Sequence, residues 1–342
     1  MAGNTIQPDM IPVEPGARVV PRWQTQLQQA WRDPAALLVH LGHDPGDFGL
    51  AQPQRFPFLV TRAYAARMLP GDPHDPLLRQ VLPLAAEDRT TPGFGPDPVG
   101  DTASRAVQGV LHKYHGRALL IATGACPIHC RYCFRREFDY AAETLTGAAL
   151  RDAVDYIAAH PDIDEVILSG GDPLVLGNAR LARITDELAG IGHIKRLRIH
   201  SRMPITLPER IEPAFLDWLA KLNWQVVVVV HANHAQEFDR HVAAALARLR
   251  QAGATVLNQA VLLAGVNDSL PALAGLMETG FASGAIPYYL HLLDHVSGSA
   301  HFEVERKRAV ALMGELRNRL PGYLVPRLVE ERAGQPCKLP VY

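Results

Sequence analysis

The sequence predicts an α/β fold, a partial (β/α)6 TIM-like barrel behind an N-terminal helical extension. Six short apolar runs alternate with amphipathic stretches from residue 117 onward, and most of the runs are nearly continuous, as strands buried on both faces should be. The loop richest in reactive side chains, CPIHCRYCFRRE at 126–137, follows directly on the first run, at the end of a strand where a barrel carries its chemistry. The expected divisions are 1–105 for the extension, 106–304 for the barrel core and 305–342 for a C-terminal segment.

In the extension, WQTQLQQAWRDPAALLVHLG and FPFLVTRAYAARMLPGD have helical apolar spacing, and TTPGFGPDPVGD breaks the pattern as a loop. The strands follow as RALLIATG (117–124), EVILSG (165–170), IKRLRIHS (194–201), QVVVVVHA (225–232), ATVLNQAVLL (254–263) and IPYYLHLLD (286–294). Between them, Leu150, Val154, Ile157 and Ala158 mark one helix face, and Phe238, Val242, Leu246 and Leu249, closed by Gly253, mark another.

Composition narrows the function. The 342 residues carry a formal net charge of -1, so there is no basic footprint for nucleic acid. VVVVV at 226–230 falls far short of the ~20 apolar residues of a membrane helix, and MAGNTIQPDM at the start has no signal-peptide pattern, so a cytoplasmic protein without a membrane partner is expected. Thiols stay reduced there, and a tight cysteine cluster then points to metal or redox chemistry.

Cys126, Cys130 and Cys133 supply three sulfurs, and three thiolates on a four-iron cluster leave one iron free to bind a small molecule. A structural zinc site, by contrast, wants a fourth ligand, and His129 is the nearest. The CxxxCxxC spacing, with the aromatic Tyr132 before the third cysteine, resembles that of radical S-adenosylmethionine enzymes. This resemblance implies a [4Fe-4S] cluster, S-adenosyl-L-methionine, and reductive cleavage to a 5'-deoxyadenosyl radical. SGGDP at 169–173 reads either as a tight turn that needs Gly170 and Gly171, with Asp172 as a cap, or as the segment that receives the cofactor's amino group in such enzymes. His231, Asn258 and Gln259 are further candidate cofactor contacts or satisfied polar residues at strand ends.

Residues 109–342 as a whole resemble the lysine 2,3-aminomutase family, an isomerase family that also uses pyridoxal 5'-phosphate. That likeness maps the Schiff-base lysine onto Lys338 in AGQPCKLP, although Cys337 beside it and Leu339 after it depart from the family segment. It places the phosphate on Lys113, Tyr114 and Arg117, the substrate carboxylate on Arg135, and the ε-ammonium on Asp294 and Glu331, the last standing where aspartate is expected. The implied reaction is 1,2-migration of the amino group of L-lysine to give β-lysine, with an electron donor such as flavodoxin or ferredoxin.

The segments HDPLLRQVLP and LLDHVSGSAHF, and an end four residues beyond Lys338, resemble a bacterial branch that supplies β-lysine to a separate ligase modifying elongation factor P. A catabolic or biosynthetic lysine aminomutase is the alternative. Two other classes stay open on the residues themselves: a zinc-binding module, and a metal-dependent barrel hydrolase using His200, His231 and His291.

Overall fold

A computed structural model describes residues 22–51, 56–145 and 147–342, so MAGNTIQPDM and the rest of the first 21 residues lie outside the described residues. Among these, ten strands form one sheet in chain order: β1 Arg105–Val107, β2 Val110–Tyr114, β3 Arg117–Thr123, β4 Glu165–Gly170, β5 Arg196–Ser201, β6 Gln225–His231, β7 Thr255–Val261, β8 Ile286–His291, β9 Arg327–Glu330 and β10 Leu339–Pro340. Strands β3 to β9 pair in parallel, while β1–β2–β3 and β9–β10 are antiparallel.

A helix crosses over after each strand from β3 to β8, over Gly147–Ala158, Asn178–Leu188, Pro213–Ala220, Arg240–Gln251, Leu270–Ala282 and Arg306–Arg319. The six expected strands are therefore β3 to β8, and the architecture is a partial (β/α)6 barrel. β9 and β10 continue the sheet into the segment beyond 305.

Side chains alternate across each strand, and this period of two positions the site. Ala118, Leu120 and Ala122 on β3, Leu197 and Ile199 on β5, Val228 and Val230 on β6, and Val256 and Ala260 on β7 pack outward against the helices in one apolar core. Their neighbours Leu119, Arg198, His200, His231, Leu257 and Gln259 line a central cavity instead. Of the expected helix faces, Leu150 and Ile157, then Val242, Leu246 and Leu249, are fully buried, Val154 and Phe238 are half-buried, and Ala158, the last residue of its helix, is exposed; Gly253 takes φ 93° after the second helix.

The extension is helical only in short pieces, Arg22–Gln28, Pro34–His40, Arg62–Ala65 and Pro76–Arg79. Pro and Asp punctuate it; Asp33 and Asp75 cap helices whose first residue is proline. It nevertheless builds its own apolar cluster around Leu37, Phe58, Tyr64 and Leu78, and Ile128 of the cysteine loop inserts into that cluster.

Candidate active site

A cavity of about 500 Å³ opens at the carboxyl ends of the parallel strands. Cys126, Cys130, Cys133, Arg135, Gly170, Gly171 and Asp172 lie along it, and so do Lys113, Tyr114, Arg117, His231, Gln259, Asp294, Glu331 and Lys338. Every site residue expected from the sequence thus borders one cavity, except Asn258, held back by alternation. Its side chain faces the other side of β7, accepting from Ala232 N at 2.9 Å and donating to Ala232 O at 3.1 Å.

The cysteine loop is fixed from two directions. From the extension, Gln80 O accepts from Arg131 N at 2.9 Å and Leu59 O from His129 N at 2.9 Å. From β4, Asp172 N donates to Ala125 O at 2.8 Å and Gly171 N to Thr123 O at 2.7 Å. A Cβ on Gly171 would stand 2.4 Å from Ala125 O, and Gly170 adopts φ 110° with Thr123 O 2.6 Å from where its Cβ would be. The glycine pair is what lets these two loops touch. Asp172 accepts from Leu174 N, Ser201 Oγ, Arg202 N and Met203 N at 2.7–3.0 Å, so its carboxylate already ties β4 to β5.

No disulfide joins the cysteines. Burial, and after it the neighbouring sulfurs, push Cys133 up to about 11 and Cys126 well above the usual thiol range. Yet among the described residues no three Cys, His, Asp or Glu side chains converge closely enough to hold a single metal ion. His129 completes no such set either; its Nδ1 lies 3.1 Å from Pro57 O. Three sulfurs around a shared space, rather than at one point, suit a cluster that keeps them apart on separate irons.

On the facing wall a ladder of alternating charge runs through the cavity. Lys338 Nζ pairs with Glu331 Oε2, and Glu331 Oε1 accepts from Lys113 Nζ at 3.1 Å. Lys113 also pairs with Asp101 Oδ1 at 2.5 Å and donates to Val99 O at 2.9 Å. Asp101 Oδ2 then takes Arg135 Nε at 2.6 Å, leaving Arg135 Nη1 3.3 Å from Ser169 Oγ on the cavity side. The two ammonium groups hold Glu331 down to about 2 despite burial, and Arg135 and Lys113 likewise lower Asp101. Asp101 was not singled out from the sequence, and its position in the loop TTPGFGPDPVGD gives no signal of its role.

Arg117 and Asp294 also border the cavity, outside the ladder. Arg117 has no anionic partner among the described residues and stacks over Tyr114 at 4.7 Å. Asp294 makes no side-chain hydrogen bond or ion pair among them; burial and Glu331 push it up to about 7. His200, His231 and His291 all border the cavity, but burial holds each below its usual range, His231 to about 3, with Gln259 Nε2 3.0 Å from His231 Nε2. They are neutral imidazoles on separate strands, not a converging ligand set.

Residues 120–276 match the Radical SAM superfamily. A protein of Escherichia coli (strain K12) named L-lysine 2,3-aminomutase is 46% identical over 322 residues, covering 93% of this chain and 94% of the relative. Proteins of the same name from Haemophilus influenzae and Clostridium subterminale are 41% and 33% identical, over 96% and 82% of this chain and 98% and 68% of their own lengths.

Proposed function

The chain belongs to the L-lysine 2,3-aminomutase family, and from that premise we propose that it moves the α-amino group of L-lysine to the β-carbon. The observation that carries this reading is one cavity that has Cys126, Cys130 and Cys133 along it and Lys338 on its wall. A [4Fe-4S] cluster with S-adenosyl-L-methionine supplies the radical that removes hydrogen, and pyridoxal 5'-phosphate carries the migrating nitrogen.

The residues present fit both groups. Cys126, Cys130 and Cys133 hold the cluster; Gly170, Gly171, Asp172, His231 and Gln259 shape the cofactor pocket beside it, with Asp172 acting through the loops it ties. Arg117, which has no anionic partner among the described residues, is the phosphate clamp, and Tyr114 and Lys113 flank it. Lys338 would carry pyridoxal 5'-phosphate through its Nζ, and Glu331, paired with that Nζ, holds it against the cavity wall. Arg135, fixed by its Nε edge, presents its Nη edge to the substrate carboxylate. Asp294 takes the ε-ammonium, while Glu331, occupied by two lysines, sets the charge around it.

Supply of β-lysine to a ligase for elongation factor P, in the cytoplasm and with a flavodoxin or ferredoxin as donor, is the narrower proposal. HDPLLRQVLP and LLDHVSGSAHF support it, and no described helix is long and apolar enough to cross a membrane. Anaerobic incubation with dithionite, S-adenosyl-L-methionine, pyridoxal 5'-phosphate and L-lysine, followed by chromatography, should yield β-lysine, and Lys338→Ala should not. Turnover by that variant at the wild-type rate removes Lys338 from the chemistry. The mass of elongation factor P from cells lacking the protein tests the narrower step.

A further inference from the structure

Arg202 follows β5 and lies against the cysteine loop, only 5% exposed. Its Nη1 donates to Cys130 Sγ at 2.7 Å, and Nη2 reaches Tyr64 Oη at 3.2 Å, Gln80 Oε1 at 2.7 Å and Glu237 Oε2 at 2.9 Å. The rings of Tyr64 and Tyr132 stand 5.3 and 5.8 Å from the guanidinium carbon. Glu237, with no exposed surface, is held in turn by Asn233 N at 2.8 Å, His234 N at 3.2 Å and Gln80 Nε2 at 3.1 Å.

This arrangement is asymmetric: among the described residues neither Cys126 nor Cys133 has a charged side chain donating to its sulfur. Glu237 balances the charge of the buried guanidinium, while its Nε has no hydrogen-bond partner among the described residues. The second arm, spent on a sulfur, has another use. A thiolate bound to iron gains negative charge when the cluster takes up an electron, and hydrogen bonds to cluster sulfurs are a principal determinant of its potential. The guanidinium is weakly screened in this place and remains cationic in both redox states.

We propose that Arg202, oriented by Glu237 and Gln80, is a positioning residue that sets the reduction potential of the cluster through Cys130 Sγ. The proposal rests on the three cysteines being cluster ligands. One electron enters from the external donor class already named, no bond to Arg202 forms or breaks, and no proton is transferred. Gln80 belongs to the N-terminal extension, so the extension takes part in the tuning.

The test is an EPR-monitored redox titration of anaerobically reconstituted wild type, Arg202→Gln, Arg202→Lys and Glu237→Gln, without substrate or the other cofactors, after iron content is measured. Loss of the cation in Arg202→Gln should make reduction harder, lowering the reduced-to-oxidised ratio at a fixed potential about tenfold, or 59 mV for one electron. Glu237→Gln should move it the other way, since the guanidinium then keeps its full field. Wild-type potential in Arg202→Gln with full iron overturns the proposal. So does a changed affinity for S-adenosyl-L-methionine with no shift in potential, which would make Arg202 a ligand contact. If Arg202→Gln loads no iron, unchanged potentials in both Arg202→Lys and Glu237→Gln overturn it equally. A wild-type chain that takes up no cluster overturns the cysteine assignment beneath it instead.

Discussion

Asp294 and Glu331 are both cavity carboxylates on neighbouring strand ends, yet their surroundings send them in opposite directions. Glu331, between Lys113 and Lys338, is held at about 2; Asp294, half-buried and without a side-chain partner among the described residues, is raised to about 7 by desolvation and by Glu331. Because its folded value lies above the unfolded one, Asp294 keeps its proton in the folded chain while the unfolded chain releases it from about pH 4. It therefore costs stability increasingly between about pH 4 and 7, and a bound ammonium, which favours the ionised form, relieves that cost. The KM for L-lysine should rise by up to tenfold for each unit that the pH falls below about 7. Asp294→Asn should raise KM at pH 8 and lose that limb; an unchanged slope in the variant would assign the ammonium to another group. At this scale the sequence singles out the cysteines by their spacing and Lys338 only through the family resemblance, and the structure places all four along one cavity. The sequence was silent on Asp101, Arg202 and Glu237, which are ordinary charges whose meaning comes from partners 34, 72 and 35 residues away.

Among the elements, β3 to β8 were legible because one face of each strand meets a helix and gives a run or alternation of apolar residues. The polar half of that alternation, as in Arg196, Leu197, Arg198, Ile199 and His200, marks the cavity face and was hidden within runs taken to be buried on both sides. The last hairpin was not legible: β10 has two residues, too few for any period. Its importance comes from the tail behind it. Leu339 and Pro340 pair with Glu330 and Val329, Val341 N donates to Leu328 O at 3.0 Å, and the Val341 side chain enters the main core at 2% exposure. Two backbone pairings and one apolar anchor therefore keep Lys338 against Glu331. Burying a valine is worth about 1.5–3 kcal/mol, so deletion of Val341 and Tyr342 should free the hairpin while leaving the distant cysteine loop intact. The truncated chain should load iron normally, yet give no Schiff-base absorbance with pyridoxal 5'-phosphate and no borohydride-trapped adduct on Lys338. A normal adduct would mean that β9 alone positions the lysine.

Across the whole molecule, the sheet runs from β1 to β10 as an open series, so the cavity is closed by parts other than strands. The extension closes it at the cysteine loop. Glu87 bridges Arg131 at 2.5 Å and Arg136 at 2.7 Å, all three side chains at most 4% exposed, and Arg131 Nη1 also donates to Phe56 O and Pro57 O at 3.2 and 3.0 Å. The two guanidinium groups lower the Glu87 pKa against the opposing effect of burial. A depressed carboxylate contributes stability above its unfolded value of about 4.3, and this stability is lost as the pH falls through the folded value. Removing Glu87 strands two buried cations, and breaking a buried pair in this way costs about 3–5 kcal/mol. Because both arginines sit within the segment that carries the sulfurs, the strain would fall on the loop before it reached the barrel. Glu87→Gln should thus lower the urea midpoint and speed loss of iron to a chelator, whereas Arg308→Ala, which removes an exposed pair with Glu315, should change neither. Equal iron loss from both variants would show that the extension covers the cluster loop without holding it.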